Sequence, residues 1–214
     1  MLLTFDTASP TVSVALFDTD TDRVLAELES TRPMKHGEEL APLIAAALSE
    51  AGLTRIDLTA IGVGVGPGPF TGLRVGLVTA RTLAYVLDLP IHGVCSLDAL
   101  AVQAASGAAQ GREFVVATDA RRKEVYLASY DDQGKRLTGP VVAKPDTVAT
   151  QLPVVGEGAV LYPESFPNAL GPVRPSAGWL ARAIVARQVE LLEPEPLYLR
   201  RPDAETARPP KKVS

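Results

Sequence analysis

The sequence predicts an α/β protein made of two similar domains, and three observations carry that reading. Short strands joined by tight turns begin at Leu2, helical spacing follows them, and the second half of the chain repeats the strand pattern of the first. The size permits it, since 214 residues suffice for two units of roughly 100 residues each. Of these residues 46% are hydrophobic and 21% charged, the balance of a chain that buries a core rather than of a disordered one.

LLTFDT, VSVALFD and VLAELES read as three strands joined by tight turns through ASPT and TDTD. From 36 to 51 the spacing becomes helical, with Leu40, Leu43, Ile44, Ala47 and Leu48 on one face and Gly52 as the stop. Pro42 lies inside that span, and its missing N–H is expected to bend the helix or confine it to the part after Ala41. IGVGVG (61–66) reads as a buried strand, and a second helix is expected from about Gly72 to Leu87. IHGVCS is a further strand leading into the alanine-rich helix SLDALAVQAA, with Ser96 as its expected cap. SGAAQGRE (106–113) marks the break between domains, so the division falls near 104–113, with 1–105 as the first unit and 106–201 as the second.

Beyond the break the opening pattern returns. Setting Leu2 on Val115 without a gap places Asp6 on Asp119, Val12 on Val125, Ala15 on Ala128, Phe17 against Tyr130, Asp18 on Asp131 and Arg23 on Arg136. The second half closes with a helix near 176–192, where Ser176 is the N-cap and Trp179, Leu180, Ala183, Ile184 and Val185 form the apolar face. PDAETARPPKKVS (202–214) has no apolar period and reads as a disordered tail.

A net charge of −4 excludes a surface that binds polyanions throughout, so any nucleic-acid contact has to be local. The single cysteine, Cys95, excludes an intrachain disulfide and fits a reducing compartment. No basic segment followed by an apolar one opens the chain, and no uncharged apolar run approaches the ~20 residues that span a bilayer. The expectation is a soluble, cytoplasmic protein with no membrane contact.

GVGPGPFTGLRVG (64–76) admits two readings. As a phosphate cradle it lacks two backbone donors, at Pro67 and Pro69, and it has neither the Lys-Ser/Thr pair of a Walker motif nor the third glycine of a dinucleotide fingerprint, since Thr71 stands there. As a rigid turn it uses Thr71 to cap the next helix, Phe70 to staple onto Val75, and the prolines to stiffen the approach. On that helix Gly72, Gly76, Ala80 and Ala84 recur every four residues as a small-residue ridge, while Leu73, Leu77, Val78, Leu83, Val86 and Leu87 cover much of the remaining surface. Such a helix is buried on several sides, inside its own domain or against a partner.

His36 has leucine, not histidine, four residues on, so the one-turn metal pair is absent and His36 reads as a surface or capping residue. Asp6 and Asp119 end equivalent strands and are either ligand-facing carboxylates or turn formers. Arg121, Arg122 and Lys123 form a basic turn, either a solvated face or a contact for a phosphate backbone. Cys95 and Ser96 lack the nucleophile elbow and a neighbouring histidine.

Taken together, LLTFDTASPTVSVAL, KHGEELAPLI, GPGPFTGLRVG, DARRKEVY and PLYLRR resemble the bacterial TsaB (YeaZ) family, in order and from residue 2 to about 201. The resemblance implies two ribonuclease-H-like domains of the actin, sugar-kinase and heat-shock-chaperone (ASKHA) class. It also implies a part in making N6-threonylcarbamoyladenosine beside the anticodon of tRNAs that read codons starting with A. In that family the paralogue TsaD performs the transfer and holds a metal through an H-x-x-x-H pair, TsaE is an ATPase that joins the complex, and TsaB is the dimerisation partner. Leu40, in place of the second histidine, implies a non-catalytic scaffold with no cofactor of its own, ATP and metal being expected on the partner subunits. The first two helices are then implied to pack on those of TsaD, with His36, Leu40, Leu43, Ile44, Ala47, Leu73, Gly76, Leu77, Ala80 and Ala84 as interface candidates. One departure is Pro69, where many members carry serine. The rival expectation is an autonomous ATP-dependent phosphotransferase using Asp6, Asp119 and the glycine-rich loop, with Asp6 and Thr71 as the cofactor-binding candidates, and a homodimer through the same helices is expected when TsaD is absent.

Overall fold

The computed structural model describes residues 1–200, so the tail expected at 202–214 lies outside the described residues. Strands β1 (Leu2–Asp6), β2 (Ser13–Asp18) and β3 (Arg23–Glu29) form an antiparallel meander. Strands β4 (Ala60–Gly66) and β5 (Ile91–Cys95) add in parallel beside β1, giving the order β3-β2-β1-β4-β5. Helix α1 (His36–Glu50) connects β3 to β4, α2 (Phe70–Leu87) connects β4 to β5, and α3 (Ser96–Ala105) follows β5.

The second half repeats this layout. Strands β6 (Phe114–Asp119), β7 (Val125–Tyr130) and β8 (Arg136–Ala143) form the meander, and β9 (Val154–Val155) and β10 (Ala169–Leu170) add in parallel beside β6. The order β8-β7-β6-β9-β10 is that of the first sheet. Helices α4 (Glu157–Leu161) and α5 (Ala177–Val185) stand where α2 and α3 stand in the first copy. The protein is therefore α/β with two five-stranded sheets of the same strand order, the duplication expected from the sequence.

One detail of the ungapped repeat needs correction. Asp6 pairs with Ser13 across the first hairpin, but Asp119 pairs with Val125, so the second connection is one residue shorter. Ala15 and Ala128, and likewise Phe17 and Tyr130, are consequently out of step by one position in the two sheets. In a strand with a side-chain period of two, that step exchanges faces.

The helices do not respect the break near 104–113. Leu180, Ala181 and Ile184 of α5 pack with Leu2, Phe17, Val94 and Ala99, covering one face of the first sheet. Its other face carries α1 and α2, through Leu40, Ile44, Ala47, Leu77 and Ala80 against Leu3, Phe5, Val14, Leu16 and Val63. Reciprocally, Leu97, Leu100, Ala101 and Ala104 of α3 pack with Phe114, Val116, Tyr130 and Val155 of the second sheet. Equivalent helices are thus exchanged between the units, and β1, with both faces covered, is buried along its whole length.

Three further expectations change. Helix α1 begins at His36 and runs through Pro42 rather than starting beyond it. Pro42 and Glu38, whose carbonyl loses its partner, are both exposed, so water replaces the missing donor. Helix α5 ends at Val185, not near 192, because Arg187 turns to a φ of 53° and the Gln188 N–H returns to the Ala183 carbonyl at 3.0 Å. Ser176 does cap it, its hydroxyl accepting from the Trp179 N–H at 3.1 Å. Helix α3 has Cys95 at the capping position and no side-chain cap, since Ser96 is turned inward. Among the described residues no helix is long and apolar enough to cross a membrane.

Candidate functional site

The ends of β1 and β6 face a cleft lined by Ser9, Pro67, Pro69, Ser96, Asp119 and Arg174, among others. Asp6 lies behind Ser96 of that lining and is 1% exposed. Its Oδ1 accepts the Ala8 N–H at 2.7 Å and its Oδ2 accepts the Ser96 hydroxyl at 2.5 Å, while the Gly66 N–H donates to Ser96 Oγ at 3.3 Å. Burial pushes the Asp6 carboxyl above the usual carboxylate range, against the lowering by those hydrogen bonds and by the charge of His36. Gly64 makes room for this arrangement, since a side chain there would collide with Asp6 Oδ2.

Asp119 repeats the local geometry of Asp6: its Oδ1 accepts the Arg121 N–H at 2.8 Å, two residues on. Its Oδ2 is 3.3 Å from Arg121 NH1, so the carboxylate already faces a guanidinium. The cleft offers about 20 Å³, roughly the room of one water, where small-molecule sites usually offer at least ~300 Å³. Both carboxylates are turn formers in this arrangement.

Thr71 does not cap α2. The helix starts at Phe70, two residues before the expected Gly72, Pro69 occupies the capping position without a side-chain hydrogen bond, and Thr71 lies exposed in the first turn. Phe70 does not staple onto Val75 but stacks on Tyr198, with ring centroids 5.1 Å apart and the Arg74 guanidinium 3.8 Å above the Phe70 ring. Local pattern could not reveal this contact, because Tyr198 is far away in the chain.

His36 is 4% exposed, not at the surface. Its Nε2 lies 2.8 Å from the Ser9 carbonyl, an acceptor only, so that nitrogen carries the proton. Leu40, Ile44, Ala47, Leu73, Gly76, Leu77, Ala80 and Ala84 are buried as well, and Leu43 is half-buried. The ridge of α2 faces inward: at Gly72 and Gly76 the helix passes so close to Thr7 that a side chain would meet its carbonyl and hydroxyl oxygens. The faces of α1 and α2 left outward hold other residues. Val78 is 62%, Tyr85 89% and Val86 70% exposed, Arg74, Arg81 and Thr82 of the same helix are exposed too, and on α1 so are Ala41 and Ala45. At 100° per residue Val78 and Tyr85 lie opposite the ridge, a signal present in the sequence once the ridge is taken as the inner side.

Arg121, Arg122 and Lys123 form the turn between β6 and β7, all three exposed and with φ of 62°, 54° and 60°. The Ala120 N–H reaches the Glu124 carbonyl at 3.0 Å and the Glu124 N–H the Arg121 carbonyl at 3.0 Å, while Arg200 donates to the Ala120 carbonyl at 3.0 Å and pairs with Glu124. Cys95 is fully buried, its thiol pushed up to about 12 by burial and by Asp98, which leaves no reactive thiolate. Among the described residues no group of three or more His, Cys, Asp or Glu is placed to hold a metal ion.

Comparison with known proteins converges on one family. Residues 28–165 match the model of the family described as TsaD, tRNA N6-adenosine threonylcarbamoyltransferase. An uncharacterised protein of Mycobacterium leprae is 41% identical over 202 residues, 92% of this chain but 54% of that protein, so the chain spans about half the length of that relative. The tRNA threonylcarbamoyladenosine biosynthesis protein TsaB of Haemophilus influenzae is 31% identical over 228 residues, covering 93% of each chain. The solved structure of YeaZ from Pseudomonas aeruginosa is 29% identical and superposes with a TM-score of 0.77, covering 92% of this chain and 99% of that one. With a full-length TsaB relative, a YeaZ structure of the same fold and a TsaD-type match through its centre, the chain belongs to the TsaB (YeaZ) family.

Proposed function

We propose that this protein takes part in tRNA threonylcarbamoyladenosine biosynthesis as the non-catalytic partner of a TsaD-type transferase, with TsaE joining the pair. The observation that carries this reading is the outward surface of two packed helices: Val78, Tyr85 and Val86 stand exposed on α2, and the small side chains Ala41 and Ala45 are exposed on α1. Apolar side chains grouped on two adjacent helices are the mark of a helix-packing surface. Two positive features support the assignment of chemistry to the partner. Leu40 is buried in the core where the transferase carries its second histidine, and His36 is held by the Ser9 carbonyl.

The interface reading moves outward from the residues proposed on sequence grounds. His36, Leu40, Ile44 and Ala80 act by setting the angle of the two helices, and Val78, Tyr85 and Val86 supply the contact. Depletion of this protein in its source organism is expected to lower the threonylcarbamoyladenosine content of tRNA, measured by nucleoside mass spectrometry. Wild type restores it and a Val78→Asp/Tyr85→Arg double variant does not. Undiminished modification after depletion defeats the proposal; pairing with itself but never with the transferase, seen by light scattering, replaces it with a homodimer.

A further inference from the structure

The turn at 120–124 is built from the wrong residues for its shape. A hairpin connection one residue shorter than its counterpart in the first copy takes three consecutive left-handed residues, and glycine or asparagine meets that demand with least strain. This chain places Arg121, Arg122 and Lys123 there, while the equivalent turn after Asp6 (TASPTV) carries no charge. The identity of the side chains therefore answers to something other than the backbone.

The surroundings present these cations outward on a fixed base. Asp119 and Glu124 are withdrawn, with side chains 15% and 29% exposed, Glu124 paired with Arg200 and Asp119 with Arg121, which stays 52% exposed and also donates to Met34 Sδ at 3.4 Å. Arg200 holds the Ala120 carbonyl and neutralises Glu124, so it is a positioning residue for the turn. The turn itself offers no exposed aromatic or aliphatic side chain, since Ala120 is buried, and so gives neither a membrane anchor nor an apolar seat for a protein. We infer that the β6–β7 turn is a contact for the phosphate backbone of RNA, made by Arg121, Arg122 and Lys123 and fixed by Arg200. This rests on the reading that the protein works on tRNA, and it names the surface of this chain that meets it. Contacts of this kind position the nucleic acid without reading its sequence.

The test is fluorescence anisotropy of a labelled tRNA transcript with the full chain, alone and paired with its transferase, over a series of KCl concentrations. Exchange of all three residues for asparagine keeps the left-handed backbone favourable, so the variant is expected to melt no lower than wild type. Its tRNA affinity at low salt is expected to fall about tenfold or more, and the slope of log affinity against log salt to shrink by about 0.7–0.9 for each cation removed. Arg121→Lys/Arg122→Lys, which keeps the charges, should retain the slope, and Lys123→Asn alone gives a second readout should the triple variant melt early. Unchanged affinity and slope in the asparagine variant overturn the inference. Loss of binding to phosphatidylserine vesicles or to a polyglutamate peptide with tRNA binding intact overturns it in favour of those partners. The wider functional reading fails separately, by undiminished tRNA modification when the whole protein is depleted.

Discussion

Asp6 shows how a single residue is governed by burial. Its carboxyl sits at 1% exposure between the Ala8 N–H and the Ser96 hydroxyl, and desolvation outweighs both in raising its pKa. A carboxyl whose folded pKa lies above its unfolded value favours folding when protonated, and that contribution is lost as pH rises through the folded pKa. Asp6→Asn keeps an oxygen for the Ala8 N–H and removes the charge. Its stability relative to wild type is therefore expected to improve from acid toward neutral pH. Urea unfolding at several pH values measures this, and a difference that does not vary with pH refutes it.

At the scale of the element, α2 separates its two faces by size of side chain. The Gly72, Gly76, Ala80 and Ala84 ridge lets the helix close on Thr7 and the first sheet, and Val78 and Tyr85 are left outside as a consequence. Tyr85→Arg is expected to change the stability of the free chain by less than about 0.5 kcal/mol while abolishing transferase pairing. Ala80→Phe overfills the core and is expected to cost about 1–3 kcal/mol. Calorimetric melting together with pairing by size exclusion distinguishes the two, and a Tyr85→Arg chain that pairs normally removes this face from the interface. The ridge, the strands and the α5 cap were legible because each has a local period or a local partner. What was not legible depends on distant residues: the stacking of Phe70 on Tyr198, the inward turn of Ser96 to Asp6, and the burial of His36 under the Ser9 carbonyl. Pro42 misled for the opposite reason, since its local penalty is real but is paid on an exposed face where water substitutes.

For the whole molecule, the exchange of α3 and α5 means that the repeat in the sequence is not a repeat of independent folding units. The composition shift at 106–113 marks where the chain passes from one sheet to the other, but the core beneath each sheet is completed by the other half. Helix α3 is pinned from both sides. Ser96 at its start donates to Asp6 of the first sheet, and Asp98 accepts the Tyr130 hydroxyl of the second at 2.8 Å, with Arg136 NH1 3.7 Å away. A fragment of residues 1–105 lacks α5, so Leu2, Phe17, Val94 and Ala99, all at most 2% exposed in the intact chain, lose the cover of Leu180, Ala181 and Ile184. Its α3 also loses Phe114 and Tyr130, leaving Leu97, Leu100 and Ala104 without a partner surface. Each large apolar side chain uncovered forfeits roughly 1.5–3 kcal/mol, and a few of these exceed the ~5–15 kcal/mol by which a domain is stable. The fragment is therefore expected to show no cooperative thermal transition by circular dichroism. Joining residues 174–190 to its C-terminus through a flexible linker should restore a transition by returning α5 to the sheet. A cooperative melt of the bare 1–105 fragment, matching that of the joined form, would refute the exchange as the source of stability and make the first half a domain on its own.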